Sequence, residues 1–467
     1  MEQLDILYVN APSAYPGSML SHRIQGLPPL GLGYLATYLR QFGYRAKIID
    51  FYIRTITLVD LKKTLQEYTP KIVGISTTTE TYKCGLRIAS FIKSSFPDVI
   101  VIMGGCHVTF EYKDALNSGF IDYIIRNEGE ITTKELLDFL IKGIGKIEKI
   151  DGICYKNNFG EIIRNKNRKY IKDLDSLPIP DRSFFDIKSY IFPASISTSR
   201  GCPGNCIFCA ATALSGGCYR TRSAQNIIDE FLYLRDLGFK HVNIIDDTMT
   251  ANISRLNEFL DLMINLKVNM NWNCESRVDI MTKELLEKMK KAGCISIQFG
   301  VEAGSQEMLD CLKKNVTMEQ IRNVFSWSNE LGITTATCLI IGQPYDTKDT
   351  IENTKNFALE LQKLGARVVF SVSTPYPGTY MYNHPQKLGL TITDTDFDNY
   401  TTQIPVYNTT NLTQEEIRSS FFDAFVTLGK SSMSPKTRSV LQIVRKELKT
   451  EITRGCSHDP AYNYRNR

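Results

Sequence analysis

The sequence predicts an α/β protein in which a doubly wound parallel sheet is followed by an incomplete barrel of six β/α units. Continuous apolar strands alternate with amphipathic helices five times in the first third of the chain, a polar stretch follows, and a second alternation of six units comes after it. We therefore expect four segments: residues 1–145 as the first sheet, 146–190 as a linker, 191–384 as the barrel and 385–467 as a helical extension.

Composition limits the function classes. A net charge of +5 over 467 residues, without a Lys/Arg run, argues against a nucleic-acid partner. The apolar runs are too short for a transmembrane segment, and the N-terminus lacks the basic region of a signal peptide. Twelve cysteines in such a chain predict a cytoplasmic protein that uses thiols for metal or redox chemistry rather than for disulfides.

In the first sheet, the strand ends carry the residues of interest. Strands are expected at 4–10, 45–51, 71–77, 98–105 and 122–130, with helices at 31–44, 58–70, 82–97 and after 131. Three of these strands end in "STTT" (76–79), "GGCH" (104–107) and "NEGE" (127–130). Ligands of open parallel sheets bind at the carboxyl ends of the strands, although each stretch by itself could equally be a turn.

The barrel strands are expected at 194–200, 241–246, 269–275, 294–301, 334–342 and 366–373, with helices at 223–238, 252–266, 282–292, 305–330 and 348–364. Barrel active sites lie in the loops after the strands. The stretch "SRGCPGNCIFCAA" (199–211) follows the first strand, so its three cysteines are expected at the mouth of the barrel.

The spacing Cys-x3-Cys-x2-Cys of Cys202, Cys206 and Cys209 admits two interpretations. Three thiolates can hold an iron–sulfur cube and leave one iron open to a small molecule. Alternatively, Cys218 could complete a four-cysteine zinc site. The other cysteines are scattered and are expected to be small core residues.

The motif "CPGNCIFC" resembles the CxxxCxxC motif of radical S-adenosylmethionine (SAM) enzymes. The blocks "NIIDDTMT", "QFGVEAGSQEML", "LIIGQPYDT" and "STPYPGTYMY" are similar, in order, to those of the subgroup in which the SAM barrel follows a cobalamin-binding domain. "LPPLGLGYLATYLRQFGY" and "IIRNEGEIT" are similar to that Rossmann-like cobalamin domain. The resemblance covers about residues 4–380 and implies three cofactors: a 4Fe–4S cluster, SAM and cobalamin.

The resemblance also implies site residues. Cys202, Cys206 and Cys209 match the cluster ligands, and the SAM contacts would come from the barrel strand ends: Asp246 and Asp247 for the amino group, Arg277 for the carboxylate, Ser276 and Glu302 for the ribose, and Gly342 for the adenine. Arg277 could instead form a surface ion pair, and Glu302 could stabilise the N-terminus of the next helix.

In the first domain, eight residues match loops that hold cobalamin: Ser76, Thr77, Gly104, Gly105, His107, Glu128, Gly129 and Glu130. No D-x-H-x-x-G motif is present, so we expect no histidine ligand on cobalt, His107 included. Cys106 stands where the family often has proline. The preferred interpretation is a small buried residue, and the alternative is a thiol near the corrin.

The implied reaction is methylation of an unactivated carbon in a small-molecule or peptide substrate, through a 5′-deoxyadenosyl radical and methylcobalamin, with a one-electron donor such as flavodoxin or ferredoxin. A cyclisation or other rearrangement with the same cofactors is the alternative, and a zinc-stabilised corrinoid-binding sensor is a third. In the extension, "TQEE" (413–416) predicts a helix with a capping box, and "KTRSVLQIVRKELKTEI" (436–452) predicts a basic amphipathic helix.

Overall fold

Five parallel strands form the first part of the fold. The computed structural model describes residues 3–13, 26–53 and 56–432. The strands are β1 (Ile6–Asn10), β2 (Ala46–Asp50), β3 (Ile72–Ser76), β4 (Ile100–Gly104) and β5 (Tyr123–Ile125). Their helices are α1 (Leu30–Arg40), α2 (Leu58–Tyr68), α3 (Tyr82–Ser95), α4 (Cys106–Phe110), α5 (Tyr112–Asn117) and α6 (Glu130–Lys142). The spatial order β2-β1-β3-β4-β5 is that of a doubly wound sheet and confirms the predicted Rossmann-like fold.

A hairpin from the predicted linker extends this sheet. Strands β6 (Ile153–Lys156) and β7 (Ile162–Arg164) pair antiparallel with each other, and β6 pairs antiparallel with β5. Ile153 and Cys154 are fully buried, so this part of 146–190 contributes to the core of the first domain.

The second sheet has six parallel strands in chain order. They are β8 (Ser195–Ile196), β11 (His241–Ile244), β12 (Asn271–Ser276), β13 (Cys294–Glu302), β14 (Thr334–Ile341) and β15 (Arg367–Val372). Between β8 and β11, the short strands β9 (Ser199–Arg200) and β10 (Arg220–Thr221) form an antiparallel pair of their own. The expected strand 194–200 is therefore broken after Ile196, because its last residues turn away to pair with β10.

Helices follow the strands of this sheet. They are α7 (Ala211–Ser215), α8 (Ala224–Asp236), α9 (Ile253–Asn265), α10 (Lys283–Lys291), α11 (Gln306–Cys311), α12 (Met318–Glu330) and α13 (Lys348–Lys363). The single helix expected at 305–330 is wrong: two helices are separated by a turn in which Lys313 and Asn315 adopt positive φ.

The rest of the described chain packs on the second sheet, except that Phe397 contacts Tyr82 and His107 of the first domain. It contains α14 (Tyr380–Asn383), the antiparallel strands β16 (Thr391–Ile392) and β17 (Tyr407–Asn408), and α15 (Gln414–Ser432). At the start of α15, Thr413 N–H donates to Glu416 Oε2 at 3.0 Å and Glu416 N–H to Thr413 Oγ1 at 3.2 Å, which confirms the capping box. The basic helix expected at 436–452 lies outside the described residues.

Apolar side chains gather in separate cores. One core lies under the second sheet and includes the fully buried Trp272, Phe299 and Phe370. Two others cover opposite faces of the first sheet, as a sheet with helices on both faces requires. Among the described helices, none combines the length and apolar character needed to cross a membrane.

Candidate active site

The three predicted cysteines lie in one loop between β9 and α7. The ladder between Arg200 and Arg220 closes the base of this loop. Gly201 has φ +87°, and a Cβ there would lie 2.4 Å from the carbonyl oxygen of Cys218, so no larger residue fits. Gly204 N–H points at Cys202 Sγ at 3.4 Å, which gives that sulfur a backbone donor within the loop.

The chemistry of this loop fits an iron–sulfur cluster. Burial raises the pKa of Cys206, and it raises that of Cys209 to about 12. Both thiols are therefore neutral at neutral pH in the metal-free protein. Within the described residues, no three His, Cys, Asp or Glu side chains converge on one point as ligands of a single metal ion. Cys218, the fourth ligand of the zinc alternative, is exposed, so this geometry gives that alternative no support.

Asp246 and Asp247 end the second barrel strand but differ in surroundings. Asp246 is buried and accepts hydrogen bonds from the Thr198 N–H at 2.6 Å and from the Ser199 hydroxyl at 2.7 Å. Asp247 is exposed as a residue, but its carboxylate lies close to the chain: desolvation and the neighbouring charge of Asp246 raise its pKa, and a hydrogen bond from the Gly201 backbone partly offsets this. Asp246 thus ties its strand to the segment before the cysteine loop, and Asp247 is the accessible carboxylate.

Arg277 lies beside the cysteine loop. Its Nε and Nη2 donate to the two carboxylate oxygens of Asp279 at 2.9 and 2.8 Å. Its Nη1 is 3.0 Å from the position of a Cβ on Gly204. The Asp279 contact raises the pKa of Arg277, so the guanidinium is a fixed cation next to the loop. The preceding Ser276 is buried, and its hydroxyl lies 2.7 Å from that of Thr250.

Glu302 ends β13 at a register shift and has φ +72°. Its partner is a residue that the sequence reasoning missed: Lys314 Nζ donates to Glu302 Oε1 at 2.9 Å, and both side chains are nearly buried. The N-cap of the following helix α11 is Ser305, whose side chain accepts a hydrogen bond from the Met308 N–H. Nothing in the sequence singles out Lys314, which comes to Glu302 through the turn at Lys313–Asn315.

The structure explains why position 342 is a glycine. It adopts φ +78°, and a Cβ there would lie 2.5 Å from Ile417 Cγ2 of α15. Its carbonyl oxygen accepts a hydrogen bond from the buried Tyr407 hydroxyl. The face of Gly342 that lacks a side chain is thus filled by α15, and the predicted adenine contact gains no support from it.

A cavity of about 400 Å³ lies at the carboxyl ends of the first sheet. Six predicted residues line it: Ser76, Gly104, Gly105, Glu128, Gly129 and Glu130. Tyr8 and Thr133 also line it, and their hydroxyls, like Glu130 Oε2, are buried without a hydrogen bond of ordinary geometry in the described structure. A Cβ on Gly31 would meet nothing within 4 Å, so the wall there is open. The Tyr8 and Thr133 hydroxyls also interact with each other. An apolar cavity lined by two hydroxyls and a carboxylate oxygen fits an amide-bearing ligand such as cobalamin.

Thr77 and His107 do not line this cavity. The Thr77 N–H donates to Gly104 O at 3.0 Å, which fixes the two loops against each other. His107 is 1% exposed, its Nδ1 lies 3.2 Å from Thr79 Oγ1, and burial lowers its pKa to about 3. Its ring contacts those of Tyr82 and Phe397, with centroids 4.1 and 4.6 Å away, so it is a neutral packed side chain.

Residues around Cys106 join the two parts of the protein. Cys106 is half-buried with its Sγ 4.0 Å from Thr77 O, and burial raises its pKa. The "TPYPGT" loop after β15 packs nearby, since a Cβ on Gly378 would lie 2.4 Å from the Phe110 ring of α4. Two loops, each at the carboxyl end of its own sheet, are therefore in contact.

An ion-pair network connects the cavity to the cysteine loop. Glu128 Oε1 accepts from Arg200 Nη1 and Arg220 Nη1, both at 2.8 Å. Glu130 Oε1 accepts from Arg200 Nη2 at 2.6 Å. Burial would raise the pKa of Glu128, but the arginines outweigh it and lower that pKa, so the carboxylate is ionised.

A Rossmann-like sheet with a cavity at its strand ends, followed by a six-unit parallel sheet whose first loop carries three cysteines, defines a cobalamin-binding radical SAM enzyme. Family models agree: the B12 binding domain matches residues 21–137, and the radical SAM superfamily matches residues 196–358. The chain belongs to the B12-binding radical SAM family, in its class B methyltransferase-like group. Its cofactors are a 4Fe–4S cluster, SAM and cobalamin.

Relatives cover most of the chain. An uncharacterized methyltransferase of Pyrococcus horikoshii is 33% identical over 85% of this chain and 87% of its own length. An anaerobic magnesium-protoporphyrin IX monomethyl ester cyclase of Rubrivivax gelatinosus is 29% identical over 81% of this chain and 69% of its own. The solved structure of the cobalamin-dependent SAM radical enzyme OxsB has a TM-score of 0.74 at 19% identity, over 95% of this chain and 71% of that chain, and so shares the fold.

Proposed function

We propose that this enzyme methylates an unactivated carbon of a small-molecule or peptide substrate. The observation that carries the proposal is the contact between the strand-end loops of the two sheets, seen where Gly378 meets Phe110, since methyl transfer needs both cofactors at one substrate. The name of the Pyrococcus horikoshii relative supports methylation. When bound, the cluster supplies the electron that cleaves SAM, and cobalamin supplies the methyl group.

The proposed roles of the cysteine loop follow from its geometry. Cys202, Cys206 and Cys209 hold the cluster, with the Gly204 N–H as a donor to the first sulfur. Gly201 and Gly204 let the loop turn closely around the three sulfurs, since a side chain at Gly201 would meet the Cys218 carbonyl and one at Gly204 would lie 3.3 Å from Cys202 Sγ.

We propose fewer SAM contacts than the sequence predicts. Asp247 takes the amino group, since Asp246 already accepts several internal hydrogen bonds. Arg277 takes the carboxylate through Nη1, the atom that Asp279 leaves free. Glu302 takes a ribose hydroxyl through the oxygen that Lys314 does not occupy. These residues orient SAM and exclude water from it.

For cobalamin, we propose that the 400 Å³ cavity holds the nucleotide tail rather than the whole molecule. The Tyr8 and Thr133 hydroxyls can donate to a phosphate or amide oxygen, and Glu130 Oε2 can accept from an amide N–H. His107 stays off the cobalt, because its ring is enclosed by Tyr82 and Phe397.

A rearrangement without methylation is the alternative, and the name of the Rubrivivax gelatinosus relative supports it. The test is anaerobic reconstitution with iron, sulfide and hydroxocobalamin, followed by SAM, a reductant and mass spectrometry. Methylation predicts both 5′-deoxyadenosine and S-adenosylhomocysteine. Deoxyadenosine alone would favour rearrangement, and neither product from cluster-loaded protein would overturn both proposals. Cys209→Ala should abolish both products, and the exposed Cys218→Ala serves as the matched control.

A further inference from the structure

Arg200 belongs to the cobalamin cavity and to the cysteine loop at once. Its side chain lines the cavity of the first domain, although the residue itself lies on β9 of the second. Its backbone is two residues before Cys202, and only Gly201 separates them, at a point where a Cβ would collide with Ser215 and the Cys218 carbonyl. A ligand that fills the cavity therefore touches the residue from which the cysteine loop starts.

Two carboxylates hold the guanidinium group of Arg200. Its Nη1 donates to Glu128 and its Nη2 to Glu130, at 2.8 and 2.6 Å. The guanidinium also lies over the Tyr34 ring, 5.4 Å from its centroid. Since a planar guanidinium bound through two nitrogens has little freedom to rotate, its position follows that of the two carboxylates.

Glu128 and Glu130 both line the cavity, so a ligand bound there would contact them. Glu130 is 4% exposed, and its Oε2 has no hydrogen-bond partner in the described structure. An unpaired oxygen of a buried carboxylate is costly unless a ligand satisfies it. Filling the cavity therefore stabilises Glu130 in the position that holds Arg200.

We propose that Arg200 is a positioning residue that couples occupancy of the cobalamin cavity to the geometry of the cluster loop. The two cofactors then bind cooperatively without direct contact, because Arg200 transmits the effect of one site to the other. Thermodynamic linkage requires the effect to be reciprocal: the cluster tightens cobalamin binding by the same factor by which cobalamin tightens cluster binding. The inference rests on the proposed location of cobalamin, but it does not depend on methylation.

The test compares the dissociation constant of hydroxocobalamin, measured by visible absorbance, in cluster-free and cluster-loaded protein. We expect the cluster to tighten binding by about five- to tenfold in the wild type, within the usual range of coupling between sites. Arg200→Gln should reduce this ratio to about one. Arg220→Gln is the matched control, because Arg220 pairs with Arg200 across the ladder and shares Glu128, but neither lines the cavity nor reaches Glu130.

Three results would overturn the inference: a wild-type ratio of one, an unchanged ratio in Arg200→Gln, or equal loss of the ratio in Arg220→Gln. If Arg200→Gln does not fold, Glu130→Gln replaces it, since it keeps the Arg200–Glu128 pair and should lower the ratio at least twofold. Failure to bind hydroxocobalamin at all would contradict the location of cobalamin. Turnover products do not enter the measurement, so a failed methylation assay stays distinguishable.

Discussion

Lys314 Nζ donates a hydrogen bond to Glu302 Oε1 at 2.9 Å, and this ion pair lies against the cysteine loop. The side chains are 8% and 12% exposed. Burial alone would lower the pKa of Lys314, but the charge and hydrogen bond of Glu302 outweigh it, and that pKa is raised. The pair therefore places a cation beside Cys206, a proposed cluster ligand, at a point where the backbone of Glu302 has positive φ.

Removing only one partner of this pair should destabilise the protein strongly. Lys314→Met leaves the Glu302 carboxylate buried and uncompensated, and we expect the free energy of unfolding to fall by about 3 kcal/mol. The double variant Lys314→Met with Glu302→Gln should recover most of that loss, because no buried charge remains. Urea unfolding followed by circular dichroism measures both variants. The exposed neighbour Lys313→Met is the control, and a double variant no more stable than the single one would contradict the argument.

Two adjacent glycines of the cavity should differ in their tolerance of a methyl group. Gly105 has φ +111°, and a Cβ there would lie 2.1 Å from the Thr77 carbonyl oxygen. Gly105→Ala should therefore cost at least about 2 kcal/mol and displace the loop. At Gly104 the nearest atom would be 3.6 Å away and φ is not positive, so Gly104→Ala should stay within about 1 kcal/mol of the wild type. Equal urea midpoints for the two variants would refute this.

Much of the fold could be predicted from apolar runs, because strands buried on both faces need such runs. The break in the helix expected at 305–330 has no glycine or proline to mark it, since its turn uses Lys313 and Asn315 at positive φ. The turn of residues 199–200 away from β8 depends on pairing with β10, twenty residues later. The pairing of 199–200 with β10 has no local signal, whereas the second helix has one in the capping box of Thr317 and Gln320, a pattern that the sequence prediction overlooked.

The residues of the candidate site could be predicted only where they belong to a sequence motif. The three cysteines and the strand-end loops are each formed by residues that are close together in the sequence, so the sequence alone predicts them. Lys314 and Arg200 acquire their partners through tertiary contact: Arg200 meets Glu130 from 70 positions away. Gly342 likewise meets Ile417 of a distant helix, a contact that no local pattern indicates, and its predicted contact with adenine stays a prediction.

His107 should make the protein lose stability as the pH falls. Its pKa in the folded state is about 3, below the ordinary value of 6.5, so between these values the unfolded state binds the proton more tightly. The contribution of this histidine is intact above about pH 6.5 and falls as the pH decreases, by about 2 kcal/mol at pH 5. His107→Gln removes the titrating group. We expect the difference in unfolding free energy between the two proteins to shift by that amount from pH 7 to pH 5; a constant difference would show that His107 is not buried as a neutral ring.

Gly342 and Ile417 should show strong non-additivity. Gly342→Ala forces a methyl group to within 2.5 Å of Ile417 Cγ2, in a backbone conformation that disfavours any side chain, so we expect weaker folding and, through displacement of the loop after β14, weaker SAM binding. Ile417→Ala makes room for that methyl group. The double variant should then be destabilised by less than the sum of the two single variants, by about 1 kcal/mol or more. Its SAM affinity, measured anaerobically by equilibrium dialysis, should return to within about twofold of that of Ile417→Ala. If Gly342 instead serves direct contact with adenine, the methyl group would block SAM in both backgrounds, and Ile417→Ala would give no relief. The comparison thus separates a glycine required by α15 from a glycine required by the ligand.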